Sequence, residues 1–217
     1  MKITIIVSLL LIITNSSKAE LTANSNLNNK HQSQDNFNVL FIGNSLTSSN
    51  NLPSLVVRHA ATKGIVVNTT TVAKGGYAIV DHWAEGHVQT LINSKQFDFV
   101  VIQQGPSSQP DGYDMLVNDA AQYAQLCEEN NSQLAYFMVW PGISYYHNFD
   151  GVITNYTAGA RANNGLLIPV GSIFKQYIDS TGDYSYFSSD GFHPSVAGSQ
   201  KAAEIIVDSL FSAPRCT

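Results

Sequence analysis

Charged residues and cysteines are scarce in this sequence, and each scarcity excludes a class of function. Only 12% of the 217 residues are charged, and 11 basic residues stand against 16 acidic ones. That balance argues against nucleic acid, or an anionic membrane surface, as a partner held by bulk charge. The chain also lacks CxxC pairs and zinc-finger spacing, so no bound metal is expected. Neutral substrates fit this composition better.

The two cysteines, Cys127 and Cys216, leave two interpretations open. Export from the cytosol would permit a disulfide between them, whereas a pair of free buried thiols is the alternative. We expect the disulfide to form after export. Two cysteines do not make a disulfide scaffold, and 44% hydrophobic residues are enough for one globular domain with a two- or three-layer core.

Residues 1–19 have the pattern of a cleaved secretory signal peptide. Lys2 precedes a mainly apolar run from Ile3 to Ile13, and small residues stand before Glu20 where a signal peptidase cuts. The alternative is a membrane anchor, but the run is shorter than the roughly 20 residues that span a bilayer. The sequence therefore predicts a secreted or periplasmic protein with no stable membrane anchor after cleavage.

Residues 20–36 are rich in Asn, Ser and Gln with little to bury, which predicts a disordered leader. In residues 37–217, short apolar runs such as VLFI and FVVI alternate with longer amphipathic segments. Strands without a polar face are typical of a parallel sheet that is covered on both sides. We expect one domain, a three-layer α/β/α sandwich with about five parallel strands.

Polar or glycine-rich corners follow three of the predicted strands. They are Gly43-Asn44-Ser45, Ala73-Lys74-Gly75-Gly76 and Gln103-Gln104-Gly105. In an open parallel sheet, functional groups gather beyond the carboxyl ends of the strands. The three corners are therefore expected to share one rim.

Ser45 is the candidate nucleophile at the first corner, and its partners stand near the other end of the chain. A serine at a strand-to-helix corner can present its hydroxyl and its own N–H to one small space, although it can also simply cap the helix. Asp190 and His193 are three residues apart, so the carboxylate can orient the imidazole and leave its other nitrogen free as a general base.

These residues resemble the conserved blocks of the SGNH hydrolases, the superfamily of GDSL esterases and lipases, from about Phe37 to Leu210. Gly43-Asn44-Ser45-Leu46 resembles the first block, with Asn44 in place of the usual aspartate, and Asp190-Gly191-Phe192-His193-Pro194 matches the last block, Asp-x-x-His-Pro. The second block's glycine falls on Gly75 or Gly76. The third block departs from the pattern, because its asparagine is absent from Gly105-Pro106-Ser107-Ser108.

The resemblance implies a flavodoxin-like sandwich and ester hydrolysis without metal or organic cofactor. It assigns Ser45, His193 and Asp190 to a catalytic triad and Gly76 to the oxyanion hole. Gln104 is our choice for the third oxyanion donor, with Gln103 and Ser107 as alternatives. No Gly-x-Ser-x-Gly elbow occurs, which disfavours the larger α/β-hydrolase family.

The expected activity is that of a serine ester hydrolase acting on a small-molecule or carbohydrate ester. Strand ends rich in Asn, Gln, Tyr and Trp, without a long apolar lid insertion, favour removal of acetyl groups from a sugar. A lipolytic esterase or thioesterase is one alternative. A non-catalytic carbohydrate-binding relative of the fold is another.

Three further patterns have weaker interpretations. Acidic and imidazole groups from Asp81 to His87 could form a zinc site, but their spacing is not His-Glu-x-x-His. Solvated helix residues along the cleft are the favoured interpretation. Aromatics from Trp140 to Tyr146 either shape the substrate pocket or cover the end of the core. Asn68 and Asn155 begin glycosylation sequons.

Overall fold

One all-parallel sheet organises the computed structural model, which describes residues 36–211. The strand order is β2-β1-β3-β4-β5, the flavodoxin-like order. Within these residues the sheet has five strands, which confirms the expected α/β/α sandwich. The strands are β1 (Asn36–Gly43), β2 (Val66–Ala73), β3 (Phe99–Ile102), β4 (Gln133–Phe137) and β5 (Leu166–Ile168).

The central strands are buried on both faces, as their unbroken apolar runs predict. In β1 the residues from Val39 to Ile42 are fully buried, and β3 and β4 show the same pattern. The edge strand β2 differs, since its middle residues, including Asn68, are polar and partly or fully exposed. Strand β1 is covered because it lies between β2 and β3 in the sheet.

Helices flank the sheet as the alternation of patterns predicts. Helix α2 packs against α9, while α4, α6 and α7 form a second group against the sheet. A π-helical turn (Met115–Asp119) joins α5 to α6. The helices are α1 (Ser45–Ser48), α2 (Leu52–Thr62), α3 (Ile79–Ala84), α4 (His87–Ser94), α5 (Pro110–Asp114), α6 (Ala120–Glu129), α7 (Phe149–Ala162), α8 (Val170–Thr181) and α9 (Val196–Phe211).

Two helical segments differ from the sequence pattern. The amphipathic run from Ile79 to Ser94 is divided into α3 and α4 at Gly86, whose φ of 74° is a left-handed conformation that ends a helix. The sequence pattern of short apolar runs and longer amphipathic segments assigned no helix to residues 170–181, where the structure has α8. Its sequence follows the short strand β5 after a single proline, Pro169, so the strand and helix patterns run together.

The sheet reverses its winding between β1 and β3. From β1 the chain crosses to β2 on one side, and it later returns to place β3 on the other side. Such a switch point opens a crevice beyond the carboxyl ends of the two strands, where ligands of open α/β sheets bind. The corners after Gly43 and after Ile102 both lie there.

The predicted signal peptide 1–19 and the leader up to residue 35 lie outside the described residues. Asn36, which the sequence pattern assigns to the leader, is the first residue of β1. Cys216 is also outside them, so its pairing with Cys127 stays a prediction. Among residues 36–211, no helix has both the length and the apolar character that crossing a bilayer requires.

Candidate active site

Ser45, His193 and Asp190 lie in one hydrogen-bonded row at the switch point. Ser45 Oγ is 2.9 Å from His193 Nε2, and His193 Nδ1 is 2.6 Å from Asp190 Oδ2. The serine and the histidine are 148 residues apart in the chain. The Asp190 carboxylate can accept a hydrogen bond from the neutral ring only when Nδ1 carries the proton, so Nε2 is the nitrogen that can accept the serine proton.

Asn44 shapes the corner that carries Ser45. Its side-chain oxygen caps α1 by accepting from the N–H of Leu46 at 3.1 Å, so Asn44 and not Ser45 is the N-cap. Its side-chain N–H donates to the carbonyl of Tyr77 at 3.1 Å, in the next corner. An aspartate at this position could make the first bond but not the second. Ser45 is left at the first turn with its hydroxyl free for His193.

A glycine is required at position 43 because of close packing beneath this corner. A Cβ atom there would lie 2.3 Å from Thr47 Oγ1 and 2.5 Å from Gln103 Oε1. Real Cβ atoms do not approach other atoms so closely. The first glycine of the motif is therefore needed because no side chain fits there. Its missing Cβ lets Gln103, at the end of β3, lie against Thr47 in α1.

The Asp190 carboxylate is held by a tight turn that precedes α9. Its Oδ1 accepts hydrogen bonds from Ser188 Oγ at 2.7 Å and from the N–H groups of Phe192 and His193 at 2.9 Å. The hydrogen bond from the His193 ring, followed by those from Ser188 and the Phe192 N–H, holds the pKa of Asp190 well below its usual range. The carboxylate therefore stays ionised beside the imidazole.

The turn after β2 brings Gly76 next to the serine corner. Lys74 N–H donates to the carbonyl of Gly43 at 3.1 Å, and Tyr77 N–H closes the turn on Lys74. Gly76 has a φ of 76°, a conformation that glycine adopts without strain. Across residues 36–211, neither the Gly76 N–H nor the Ser45 N–H makes a hydrogen bond. Both remain available as donors.

The three candidates for a further donor have different surroundings. Gln103 is bound through both ends of its amide: Oε1 accepts from Asn44 N–H and from Thr47 Oγ1, and Nε2 donates to the carbonyl of Gln104. Gln104 Oε1 accepts from Ile79 N–H at 2.9 Å, but its Nε2 has only the Met115 thioether, a weak acceptor, at 3.0 Å.

Ser107, the third candidate, lies in a loop fixed by α7. The Asn155 side chain donates to the carbonyls of Ser107 and Gln109 at 2.9 and 3.2 Å, and Ser107 Oγ accepts from the N–H of Gln109. Asn155 is 6% exposed, so its sequon is inaccessible in the folded protein, whereas Asn68 is exposed on β2.

Of the acid and imidazole groups from Asp81 to His87, three have structural partners within the described residues, and His87 is exposed. His82 is buried, and its Nε2–H donates to the carbonyl of Gly43 at 2.8 Å. Asp81 caps α3, and Glu85 binds the Lys74 ammonium and the Tyr77 hydroxyl, which lowers the pKa of Glu85. In the described part of the chain, no group of three or more metal-binding side chains occurs.

Asn50 is a supporting residue that the sequence pattern did not single out. Its side-chain N–H groups donate to the carbonyls of Pro194 and Ser195 at 3.0 and 3.2 Å and to Ser199 Oγ at 2.9 Å. Asn50 has a φ of 52°, and its neighbour Asn51 has a φ of 54°. The two adjacent asparagines could have indicated a left-handed turn here, because asparagine tolerates that region better than most residues.

A depression of about 250 Å³ adjoins the triad. Trp140, one of the aromatics proposed to shape a pocket, is fully buried and belongs to the core. Tyr145 instead lines the depression with 62% of its surface exposed. The lining residues are Pro106, Pro141, Gly142, Ser144, Tyr145, Asn148, Asp190, Gly191 and Phe192.

A larger cavity, of about 810 Å³, lies at the amino ends of the strands, on the side of the sheet away from the triad. Phe37, Phe99, Gln133 and Leu166, which stand at the amino ends of four strands, contribute to its wall. No histidine lines this cavity among the described residues. The smaller depression is the better candidate for substrate, because ligands of parallel sheets bind at the carboxyl ends of the strands.

Comparison with known proteins shows a shared fold at low sequence identity. No protein-family model matches the chain, and neither does any curated protein. Among solved structures, a proposed SGNH hydrolase from Slackia heliotrinireducens has a TM-score of 0.68 at 22% identity, with 81% of this chain and 100% of that chain covered.

Two further solved structures with a similar fold are those of an esterase and of a proposed lipase. A catalytic variant of Axe2, an acetylxylan esterase from Geobacillus stearothermophilus, has a TM-score of 0.61 at 16% identity, covering 81% of this chain and 94% of that one. A proposed GDSL-like lipase from Parabacteroides merdae has a TM-score of 0.61 at 17% identity, covering 82% and 96%. The chain therefore has the SGNH hydrolase fold.

Proposed function

We propose that this protein is a serine ester hydrolase in which Ser45 is the nucleophile, His193 the general base and Asp190 the residue that orients the imidazole. One observation carries the proposal: the continuous row of hydrogen bonds from Ser45 Oγ through the His193 ring to Asp190, at 2.9 and 2.6 Å. Serine and imidazole at this distance are suited to nucleophilic attack on an acyl carbon.

In the first half of the reaction, Ser45 Oγ attacks the ester carbonyl and its proton passes to His193 Nε2. The Asp190 carboxylate stabilises the imidazolium that forms, because it faces the other ring nitrogen. His193 then gives the proton to the leaving alcohol as the C–O bond of the ester breaks. An acyl group stays on Ser45.

In the second half, water attacks the acyl-serine. His193 takes a proton from the water and returns it to Ser45 Oγ, which releases the carboxylic acid. In both halves a negative charge develops on the carbonyl oxygen. The N–H groups of Ser45 and Gly76 and the Gln104 amide are the proposed donors to this oxyanion. Gln104 is preferred to Gln103 because its Nε2 has only a weak sulfur acceptor.

The proposed substrate is an acetylated carbohydrate, and the proposed site of the reaction is outside the cytosol. Axe2, which shares the fold, is named as an acetylxylan esterase, and the depression beside the triad has polar and aromatic side chains that are uncharged apart from Asp190. The residues 1–19, with the pattern of a signal peptide, support secretion or periplasmic location. Lipolytic esterase activity is the second candidate, favoured by the likeness to a proposed GDSL-like lipase.

The experiment compares hydrolysis of 4-nitrophenyl acetate, a longer acyl nitrophenyl ester and acetylated xylan by wild type, Ser45→Ala and Ser48→Ala. Ser48 lies one turn away and is exposed, so it is a matched control. We expect Ser45→Ala to lose nearly all activity and labelling by a fluorophosphonate probe, while Ser48→Ala keeps both.

Three results would argue against the proposal in different ways. Turnover near wild type in Ser45→Ala would remove the nucleophile assignment. Faster hydrolysis of the longer acyl ester than of acetylated xylan would favour the lipolytic candidate. No hydrolysis of any ester and no labelling of the wild type would favour a non-catalytic protein of this fold.

A further inference from the structure

The direction of the leaving alcohol follows from the donors around Ser45, if the proposed function holds. The carbonyl oxygen of a bound ester must face the N–H groups of Ser45 and Gly76. The leaving oxygen must instead lie within hydrogen-bond reach of His193 Nε2, because that nitrogen supplies its proton. The alcohol part of the ester therefore points away from the Gly76 turn and toward the turn that carries His193.

The depression beside the triad lies on that side. Three consecutive residues before His193, from Asp190 to Phe192, form part of its wall. The Phe192 ring is 5.0 Å from the His193 ring, measured between centroids, so the depression begins about one ring away from the imidazole. A volume of about 250 Å³ has room for a single ring-sized group and its substituents.

Apart from Asp190, the side chains that line the depression are uncharged, and three of them have polar groups without a hydrogen bond to the described protein. The Ser144 hydroxyl, the Asn148 amide and the Tyr145 hydroxyl make no hydrogen bond within residues 36–211. No Lys or Arg of the described chain lines it, and the one carboxylate, Asp190, is already bound by His193 and Ser188. A phosphate or sulfate ester would find no cation there.

Tyr145 adds a flat apolar face that the backbone holds in place. Its N–H donates to the carbonyl of Gly142 at 2.8 Å, and the N–H of Ile143 donates to the carbonyl of Gly191 at 2.8 Å. These bonds join the Tyr145 segment to the Asp190 turn. With 62% of its surface exposed, the Tyr145 side chain is accessible to a ligand in the depression.

We propose that the depression is the binding site for the alcohol part of the substrate, and that it takes one neutral sugar ring that stacks on Tyr145. A sugar ring has an apolar C–H face for the aromatic ring and hydroxyls for Ser144 and Asn148. A linear acyl or alkyl chain offers neither of these side chains a hydrogen-bond partner. This inference rests on the proposed function for its orientation of the ester.

The kinetic experiment compares two acetate esters that differ in the alcohol. Xylose tetra-acetate has a sugar ring to stack on Tyr145, whereas the ethanol of ethyl acetate is too small to reach it. In Tyr145→Ala we expect kcat/KM to fall about fivefold to tenfold for the sugar ester and to stay unchanged for ethyl acetate. Tyr145→Phe keeps the ring and should remain near wild type for both.

Tyr113→Ala is the matched control, because Tyr113 is 41% exposed and does not line the depression. It should leave both esters unaffected. Equal losses for both esters in Tyr145→Ala, or no loss for the sugar ester, would overturn the proposal while leaving the hydrolase assignment intact.

A binding experiment separates the two proposals. In an NMR titration of the wild type with methyl xyloside, which has no ester, we expect amide shifts from Ser144 to Asn148 and at least fivefold weaker binding in Tyr145→Ala. Binding of this kind by a protein that hydrolyses no ester would keep the sugar site and reject the hydrolase. Absence of shifts in this segment would reject the sugar site whatever the esterase activity.

Discussion

The side-chain carbonyl of Gln103 accepts a hydrogen bond, 2.9 Å long, from the backbone N–H of Asn44, the residue before Ser45. The same oxygen accepts the Thr47 hydroxyl at 2.9 Å, and Gln103 is 1% exposed. A glutamine that the sequence suggested only as a fallback oxyanion donor thus fixes the end of β3 to the nucleophile corner. Both ends of its amide are bound to the protein, since Nε2 donates to the carbonyl of Gln104.

Gln103→Ala should therefore lower stability more than it changes substrate binding. It leaves a buried N–H and a buried hydroxyl without an acceptor, at about 1–3 kcal/mol for each. We expect the free energy of unfolding from urea denaturation to fall by about 2–6 kcal/mol, with a parallel loss of turnover. Gln125→Ala, on the exposed face of α6, is the control. Unchanged stability in Gln103→Ala would contradict the supporting role.

Gln104→Ala should lower turnover strongly, and it should also lower stability because the buried Ile79 N–H loses its acceptor. Loss of one oxyanion donor lowers turnover by about 10²–10³ and leaves KM nearly unchanged. Steady-state kinetics on an acetate ester measure both parameters. If Gln104→Ala turns over like the wild type and Ser107→Ala does not, the third donor is Ser107.

Asn44→Asp should weaken the protein even though aspartate is the usual residue of the related motif. Aspartate can still cap Leu46, but it cannot donate to the Tyr77 carbonyl and would place a negative charge beside it. We expect a loss of about 1–2 kcal/mol in the free energy of unfolding and lower turnover, because the Gly76 turn is released. Asn93→Asp, an exposed change in α4, controls for the added charge. Wild-type stability and rate in Asn44→Asp would show that this bond has no role.

Asp190→Asn should reduce turnover by about 10³–10⁴ without unfolding the protein. The asparagine oxygen can still accept from Ser188 and Phe192, but its NH₂ faces His193 Nδ1. That contact favours the ring tautomer with its proton on Nε2, which cannot accept the Ser45 proton. Asp111→Asn, on the surface of α5, should leave kcat unchanged. A kcat near wild type in Asp190→Asn would remove Asp190 from the triad.

The same variant tests the pH dependence of stability. The pKa of Asp190 is lower in the folded state than in the unfolded chain, where it is about 4. Ionised Asp190 therefore stabilises the fold above about pH 4, and this contribution is lost as pH falls toward its folded pKa. The Tm advantage of the wild type over Asp190→Asn should be constant above that pH and shrink below it. An advantage that grows on acidification would contradict the lowered pKa.

Sequence patterns predicted the layers of this fold because strands and helices differ in period and length. The apolar runs of β1 and β3 and the amphipathic α2 and α9 all occur where those patterns place them. Helix α8 was missed because Pro169 alone separates it from β5. The break at Gly86 was missed because a single glycine inside a helical pattern is often tolerated.

The chemistry-bearing residues of the site were easier to predict than the residues that hold them. Ser45, Asp190 and His193 stand in recognisable motifs, and the structure brings them within hydrogen-bond distance. The roles of Gln103 and Asn50 depend on contacts across 59 and 144 or more residues, which no local pattern contains.

The contact between Ser45 and His193 has a consequence for the time course of folding. It joins the end of the first described strand to the turn before the last described helix, 148 residues later, and Asn50 ties the same two regions together. Contacts of such separation form late, because closing a long loop costs entropy before any packing offsets it. A refolding chain should therefore recover its secondary structure before its proposed esterase activity. Until the turn before α9 has docked, Ser45 lacks the contact with the His193 imidazole on which that activity depends.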